Sequence, residues 1–282
     1  MSHIFVPIAE EILDKEFPVL NKGFVRLVDY MGGDSRIAAA ARCSTGKQDK
    51  IKTEEDDKKL IFRLMEDGHT SPFEMVEFLF HAKMPIFVAR QWIRHRTANV
   101  NEWSGRYSVL KDEFYIPDFT DIKYQSNTNK QGRAEDEVPY ELKQKVLEIL
   151  LNDQENVYHS YEEMLEDNIS RELARINLPL SIYTQWYWKI DLHNLLHFLK
   201  LRLDLHSQKE IRDYAEVMSQ MAKAVAPMTY EAFEEFNLYS VKFSKTEIKA
   251  LHSLLYSGKY NINEMLNEKQ LNKFEKKLGL ID

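Results

Sequence analysis

Between Met75 and Lys83 the chain alternates apolar Val76, Phe78 and Phe80 with polar Glu77 and His81. A period of two puts successive side chains on opposite faces, so this stretch is expected to be a half-buried strand. Almost at once the period changes. Pro85 suits the first turn of a helix whose register carries Phe87, Val88, Trp92 and Ile93 inward, and that helix is expected to deliver Arg94-His95-Arg96 at its C-terminal end. A second junction follows the same plan: Ile182 to Ile190, dense in Tyr and Trp, reads as a strand, and Asp191 as the cap of a helix bearing His193, His197 and Arg202. Trp186 and Trp188 alternate on one face of that strand and are expected in the core. A chain with these two junctions must pack helices on a sheet.

The remaining elements are read by the same signals. Phe24 to Tyr30 is an opening strand closed by Gly32-Gly33, and Asp34 or Ser35 is placed to cap an Ala-rich helix to Arg42. A charged helix runs from Glu54 to Asp67, a long amphipathic one from Pro139 to Glu166, and another from Ser207 to Val225. Ser170 is placed to cap a shorter helix carrying Arg171 and Arg175. The polar segment Asp121 to Val138, with Ser126-Asn127-Thr128-Asn129 and Gly132, reads as a long loop, either a lid or a solvated connection. Residues 240–282, with eight lysines against five acids, form one or two appended helices.

Composition narrows the partners. At 282 residues and 44% hydrophobic the chain can bury a real core, and a net charge of -7 argues against a general nucleic-acid binder, which relies on a broad basic surface. A single cysteine, Cys43, excludes an internal disulfide and a thiolate-rich metal site, and it is expected to pack as a small apolar residue. No apolar run approaches the ~20 residues of a membrane span, and no signal pattern opens the sequence, so the cytoplasm is the expected compartment.

The densest chemistry is Arg94-His95-Arg96 followed after seven residues by Ser104, within Asn101-Glu102-Trp103-Ser104-Gly105-Arg106-Tyr107. Arginines present planar donor forks that match phosphate oxygens, so the stretch reads as a site for an anionic, nucleotide-like ligand. On a helix Arg94 and Arg96 would point about 200° apart, which fits a position between two ligands or between a ligand and another subunit. Ser104 and neighbouring amides could cradle a phosphate; a nucleophilic Ser104 would lack a base nearby in sequence. His193 and His197 have i,i+4 spacing, which suits either a metal or stacking on a flat heterocycle, with Asp191 or His206 available as a third ligand. His69-Thr70-Ser71-Pro72-Phe73-Glu74 is a connecting segment that is either a binding element or a capped turn.

The stretch Arg94 to Tyr107 resembles the Arg-His-Arg-(seven residues)-Ser signature of the flavin-dependent thymidylate synthases, and the similarity runs from about Gly23 to Phe236. It includes Pro85 to Trp92, the Gly68-His69 turn with Pro72-Phe73-Glu74, and Leu199-Lys200-Leu201-Arg202. The resemblance implies an α+β fold, an antiparallel or mixed sheet packed with long helices, in a domain over 23–239 flanked by extensions 1–22 and 240–282. It implies transfer of a methylene group from methylenetetrahydrofolate to C5 of dUMP and reduction by FADH2, regenerated by NADPH, in a homotetramer with active sites at subunit interfaces.

Carried over by position, Gln91, Trp92, Ile93 and Arg94 would line dUMP together with Glu102, Trp103, Ser104, Gly105 and Arg106 of a neighbouring subunit, with Arg175 also on the nucleotide. Arg202 would hold the uracil edge and favour ionisation at N3. Ser71, Arg94, His95, Arg96, Glu102, Asp191, Leu192, His193 and His197 would contact FAD, with His69, Ser44, Asn101 and His206 as further positions. Where many members read Asn-Ala-Arg, this chain reads Asp191-Leu192-His193. The alternative is a His-based metal-dependent hydrolase acting on a phosphorylated substrate.

Overall fold

The alternation around His81 becomes strand β3 (Glu77–Pro85) of the computed structural model, which describes residues 4–46, 53–127, 131–256 and 266–280. The other strands are β1 (Glu16–Val19), β2 (Gly23–Met31), β4 (Asn99–Glu102) and β5 (Tyr183–Asp191). They form a five-stranded sheet in the order β1-β2-β3-β5-β4, and all its pairings are antiparallel. The strand begins two residues later than the alternation predicts, because Phe73–Met75 closes a 3-10 turn first. Strand β1 and helix α1 (Pro7–Ile12) were not expected; they bring the first residues of the chain into the sheet and against the helices.

The two faces of the sheet differ as the period of two requires. Phe78, Phe80, Ala82 and Met84 of β3 lie beside Ile190, Trp188, Trp186 and Thr184 of β5 and are buried. Helices α4 (Ile86–Trp92), α7 (Leu192–Arg202) and α8 (Lys209–Val225) supply the apolar residues that cover this face, among them Val88, Trp92, Leu195, Phe198, Tyr214 and Met218. The opposite face stays open to half-buried polar groups. Arg26 donates to His81 Nδ1 at 2.8 Å, and His81 stacks on Tyr187 with ring centroids 4.9 Å apart. Trp186 and Trp188 belong to the core, as their alternation predicts.

Helices α2 (Asp34–Cys43), α3 (Glu54–Glu66) and α9 (Pro227–Phe233) pack beside one another, while α5 (Tyr140–Glu166) packs on α6 (Arg171–Ala174). Thr53 caps α3 in a capping box with Asp56. Neither Asp34 nor Ser35 caps α2, whose N-cap is Gly33. The Asp34 carboxylate turns instead to α9, accepting from the backbone N–H of Met228 and Thr229 at 2.9 and 3.0 Å and from Thr229 Oγ1 at 2.6 Å. Ser170 precedes α6 without a side-chain cap, and Cys43, expected to be packed, is exposed at the end of α2. The segment 121–138 is tied across by a Gln125–Arg133 bridge; Thr128 and Asn129 lie outside the described residues.

By its contacts the chain divides into two units, 1–233 and 234–282. The second contains a π-helical turn at Glu234–Leu238 and the helices α10 (Lys245–Tyr256) and α11 (Glu268–Lys277). Its own small core is Ala250, Leu266 and Phe274, with Phe243, Leu251, Leu271 and Leu278 around it. Asn267 caps α11 in a capping box with Gln270, and Lys277 pairs with Glu247 at 2.6 Å.

Asp34 satisfies amides that α9 cannot satisfy internally, and burial raises its pKa while the hydrogen bonds from Thr229 and Met228 oppose that rise. Asp34→Ala should therefore destabilise the protein by about 2 kcal/mol, the cost of leaving buried donors unmet. The check is the urea midpoint at unchanged slope, with Asp34→Asn losing less.

Candidate functional site

Helix α4 ends at Trp92, whose indole is fully buried against four other rings. It lies 5.4 and 5.3 Å from Trp186 and Trp188, 5.3 Å from Phe198 and 5.9 Å from Tyr214, centroid to centroid. Ile93 is the C-cap and is 46% exposed, so the expectation that it points inward fails: the helical register stops one residue before it. Arg94, His95 and Arg96 consequently lie just past the helix, in a turn leading to β4. Their opposed directions on a helical wheel therefore do not apply.

Past the helix end, His95 turns back onto α7. Its ring meets Phe198 edge-on at 4.8 Å and lies 6.2 Å from His197. Arg202, at the end of the same helix, donates from Nε to His95 Nε2 at 3.0 Å and from a terminal nitrogen to the carbonyl of Gln91 at 3.1 Å. Burial, then the Arg202 charge and His197, hold the His95 imidazole down to about 4 from an ordinary 6.5. His95 is therefore neutral at pH 7, with Nε2 the acceptor and Nδ1 carrying the proton. Burial also lowers the pKa of Arg202, which remains a cation. Gln91, His95, His197 and Arg202 are thus brought together by α4 and α7.

Among the described residues, the side chains of Arg90, Arg94 and Arg96 make no hydrogen bond or ion pair, in contrast to Arg106, which meets Glu172 at 3.2 Å. Three unpaired guanidiniums within seven residues form a concentrated positive field, the setting an anionic ligand needs.

A second group forms around the Ser104 turn. Trp103 N–H donates to Gln185 O at 2.9 Å, which ends the β4 ladder, and the amides of Tyr107 and Ser108 return to Ser104 O. Glu102, Ser104 and Arg106 thus lie across a strand end and a turn, not along one side of an extended segment. Ser104 Oγ accepts from Arg106 N–H at 3.3 Å and has no base beside it among these contacts. Glu102 accepts from Thr184 Oγ1 at 2.8 Å, and Glu102 and Trp103 line a hollow of about 330 Å3 with His81, Asn101 and Tyr187. Gly105 is buried, and a Cβ there would sit 3.0 Å from Leu110 Cδ1 and 3.2 Å from Arg175 Cδ. Its small size therefore lets Arg175 pack against the turn. No hydrogen bond or ion pair among the described residues joins this group to that of Arg202.

Ser71 and Ser44 occupy a third place, a groove of about 740 Å3 lined also by Met31, Arg36, Cys43 and Met75. Two expected ligand positions offer no side-chain surface. Trp92 is enclosed, and Leu192 is 1% exposed with its amide already donating to Val76 O at 2.8 Å. Asp191 caps α7 as predicted and is engaged with both oxygens by Asn194, at 2.9 Å to the backbone nitrogen and 2.7 Å to the side chain. His193 is half-buried. His206 pairs with Asp204 at 2.8 Å, and no three His, Cys, Asp or Glu side chains among the described residues converge as metal ligands. The hydrolase alternative therefore lacks its third ligand. Sequence reading missed Thr184, Gln208 and Glu210, polar residues whose partners Glu102, Gln91 and Tyr115 lie far along the chain.

The family described as thymidylate synthase complementing protein matches residues 26–228. A flavin-dependent thymidylate synthase of Treponema denticola is 55% identical over 266 residues, covering 94% of this chain and 98% of that protein. The protein of the same name from Treponema pallidum is 49% identical over 278 residues, covering 99% and 89%. Among solved structures, the UMP/dUMP methylase PolB from Streptomyces cacaoi bound with 5-Br dUMP is 32% identical with a TM-score of 0.71, covering 80% of this chain and 100% of that one. With the Arg-His-Arg turn and Arg202 gathered at the ends of α4 and α7, the chain belongs to the flavin-dependent thymidylate synthase family.

Proposed function

We infer that the protein converts dUMP to dTMP, taking the carbon from methylenetetrahydrofolate and the hydride from FADH2 that NADPH regenerates. The observation that carries this reading is the pairing of Arg202 with a neutral His95 beside the unpaired Arg94 and Arg96. A guanidinium has five N–H donors, and Arg202 commits two of them within the protein. The others hold the uracil edge. A fixed cation there favours loss of the N3 proton, and the resulting charge raises electron density at C5, the carbon that takes up the methylene. His95 accepts from Arg202 and so fixes the direction of that cation.

The arginines left without acids serve the anionic groups: Arg94 the nucleotide phosphate and flavin, Arg96 the flavin. Bound FAD supplies the hydride; the protein supplies orientation and charge. The further flavin positions are Ser71, Glu102, Asp191, His193 and His197; Leu192, buried and with its amide on Val76 O, is left out. In this reading Gln91, Ile93 and Arg94 of one subunit face Glu102, Trp103, Ser104, Gly105 and Arg106 of a neighbour, with Arg175 also on the nucleotide. The assembly is a homotetramer. No described helix is long and apolar enough to cross a membrane, and the cytoplasm is the proposed compartment.

Two measurements test the reading. Arg202→Ala should lower dTMP formation by about 10²-fold or more, the scale of losing an oriented charge, while the purified protein stays yellow. A folded wild type that binds no FAD, or that forms no dTMP, would sink it. The second concerns pH. Because the folded value of His95, about 4, lies below its ordinary 6.5, the unfolded chain binds the extra proton between those values. The contribution of neutral His95 to stability is complete above pH 6.5 and is lost as pH falls toward 4. The wild type should lose more stability between pH 7 and pH 5 than His95→Gln does; equal losses would show that His95 is not held neutral.

A further inference from the structure

Glu210 lies in the first turn of α8, is 1% exposed, and has no role in the chemistry above. A buried carboxylate is costly unless several donors meet it, and here three do. Tyr115 Oη donates to Oε1 at 2.9 Å, the Arg133 guanidinium donates to the same oxygen, and Gln208 Nε2 donates to Oε2 at 2.8 Å. Burial raises the Glu210 pKa, but the Arg133 hydrogen bond and charge outweigh it, and the carboxyl is held below its ordinary value.

Each donor comes from a different part of the chain. Arg133 belongs to the 121–138 loop, where it also bridges Gln125 and lies 3.8 Å from Asp121, itself 3.3 Å from Lys209. Tyr115 is fixed on the sheet side, its N–H on Ser181 O and its carbonyl accepting from Gln154. Gln208 continues the chain of contacts, because its side-chain oxygen accepts from Gln91 Nε2. Gln91 in turn accepts from Arg202 through its carbonyl. An unbroken series of polar contacts thus runs from the loop through Arg133, Glu210, Gln208 and Gln91 to Arg202.

We propose that Glu210 is a positioning residue that couples the seating of the loop residue Arg133 on α8 to the setting of Gln91, and through it to the affinity for dUMP. The proposal rests on the functional reading above. A carboxylate that merely stabilised α8 would need neither the loop arginine nor the glutamine pair. Arg133 is partly exposed, so it can be removed without opening the core.

Steady-state kinetics of the FAD-loaded enzyme test the coupling. Arg133→Ala should raise KM for dUMP about tenfold while kcat stays within about twofold and the flavin absorbance is retained, and Gln208→Ala should do likewise. In the double variant the two effects should not add, because both cut one series of contacts. Unchanged KM in Arg133→Ala, or full additivity in the double variant, overturns the proposal. If the wild type forms no dTMP, the functional reading fails, and the coupling is read by limited trypsin digestion of the same holoprotein. Gln208→Ala, which lies outside the loop, should then speed cleavage within 121–138, and an unchanged rate overturns the proposal.

Discussion

The rest of the molecule is organised around the burial of Trp92. One indole at the end of a seven-residue helix packs against β5 through Trp186 and Trp188, against α7 through Phe198 and against α8 through Tyr214. Aromatic pairs in edge-on and offset arrangements add to the area they bury, so four such contacts on one side chain fix its place tightly. The indole N–H groups of Trp92, Trp186 and Trp188 are buried without a partner, a cost that the packing must outweigh. The consequence is geometric: α4 cannot slide along the sheet without dislodging Trp92. The turn that follows, with its arginines, therefore always leaves the core at the same point.

The contrast between the arginines follows from that placement. Arg202 leaves from the last turn of α7, close enough to His95 and the Gln91 carbonyl to be held by both. Arg94 and Arg96 leave from a turn where no described acid reaches them. Like charges left unpaired beside one another destabilise a folded chain, and such sites persist where a ligand supplies the missing anion. Held and unheld cations differ accordingly: the direction of Arg202 is fixed in advance by His95 and the Gln91 carbonyl, while Arg94 and Arg96 are left without a protein partner among the described residues.

Much of this was legible in sequence where the signal is local. The period-two run around His81, the cap at Asp191, the tryptophan pair on β5 and the long helix ending at Glu166 all follow from neighbouring residues. The Arg-His-Arg-to-Ser spacing carried the family as well. What failed depended on distant chain. Asp34 precedes an Ala-rich helix and reads as its cap, yet the carboxylate is taken by the amides of α9, which arrive from nearly two hundred residues away. Ile93 continues an apolar register in sequence, but the helix stops at Trp92 and leaves Ile93 exposed. Strand β4 has no hydrophobic alternation because all four of its residues are exposed, and only its ladder with β5 makes it a strand.

Gly105 shows how a residue type that suggests one role in sequence can serve another in the fold. A glycine beside a serine in an arginine-rich segment reads as room for a ligand, and the structure gives that room to protein atoms: Leu110 on one side and Arg175 on the other. The distinction matters for specificity. If the glycine admitted ligand, its replacement would block binding by bulk; since it admits Arg175, replacement would act by displacing a cation that a nucleotide is proposed to meet. Both would weaken binding, but only the second predicts that enlarging position 105 and removing Arg175 are non-additive, since two residues in contact share one effect.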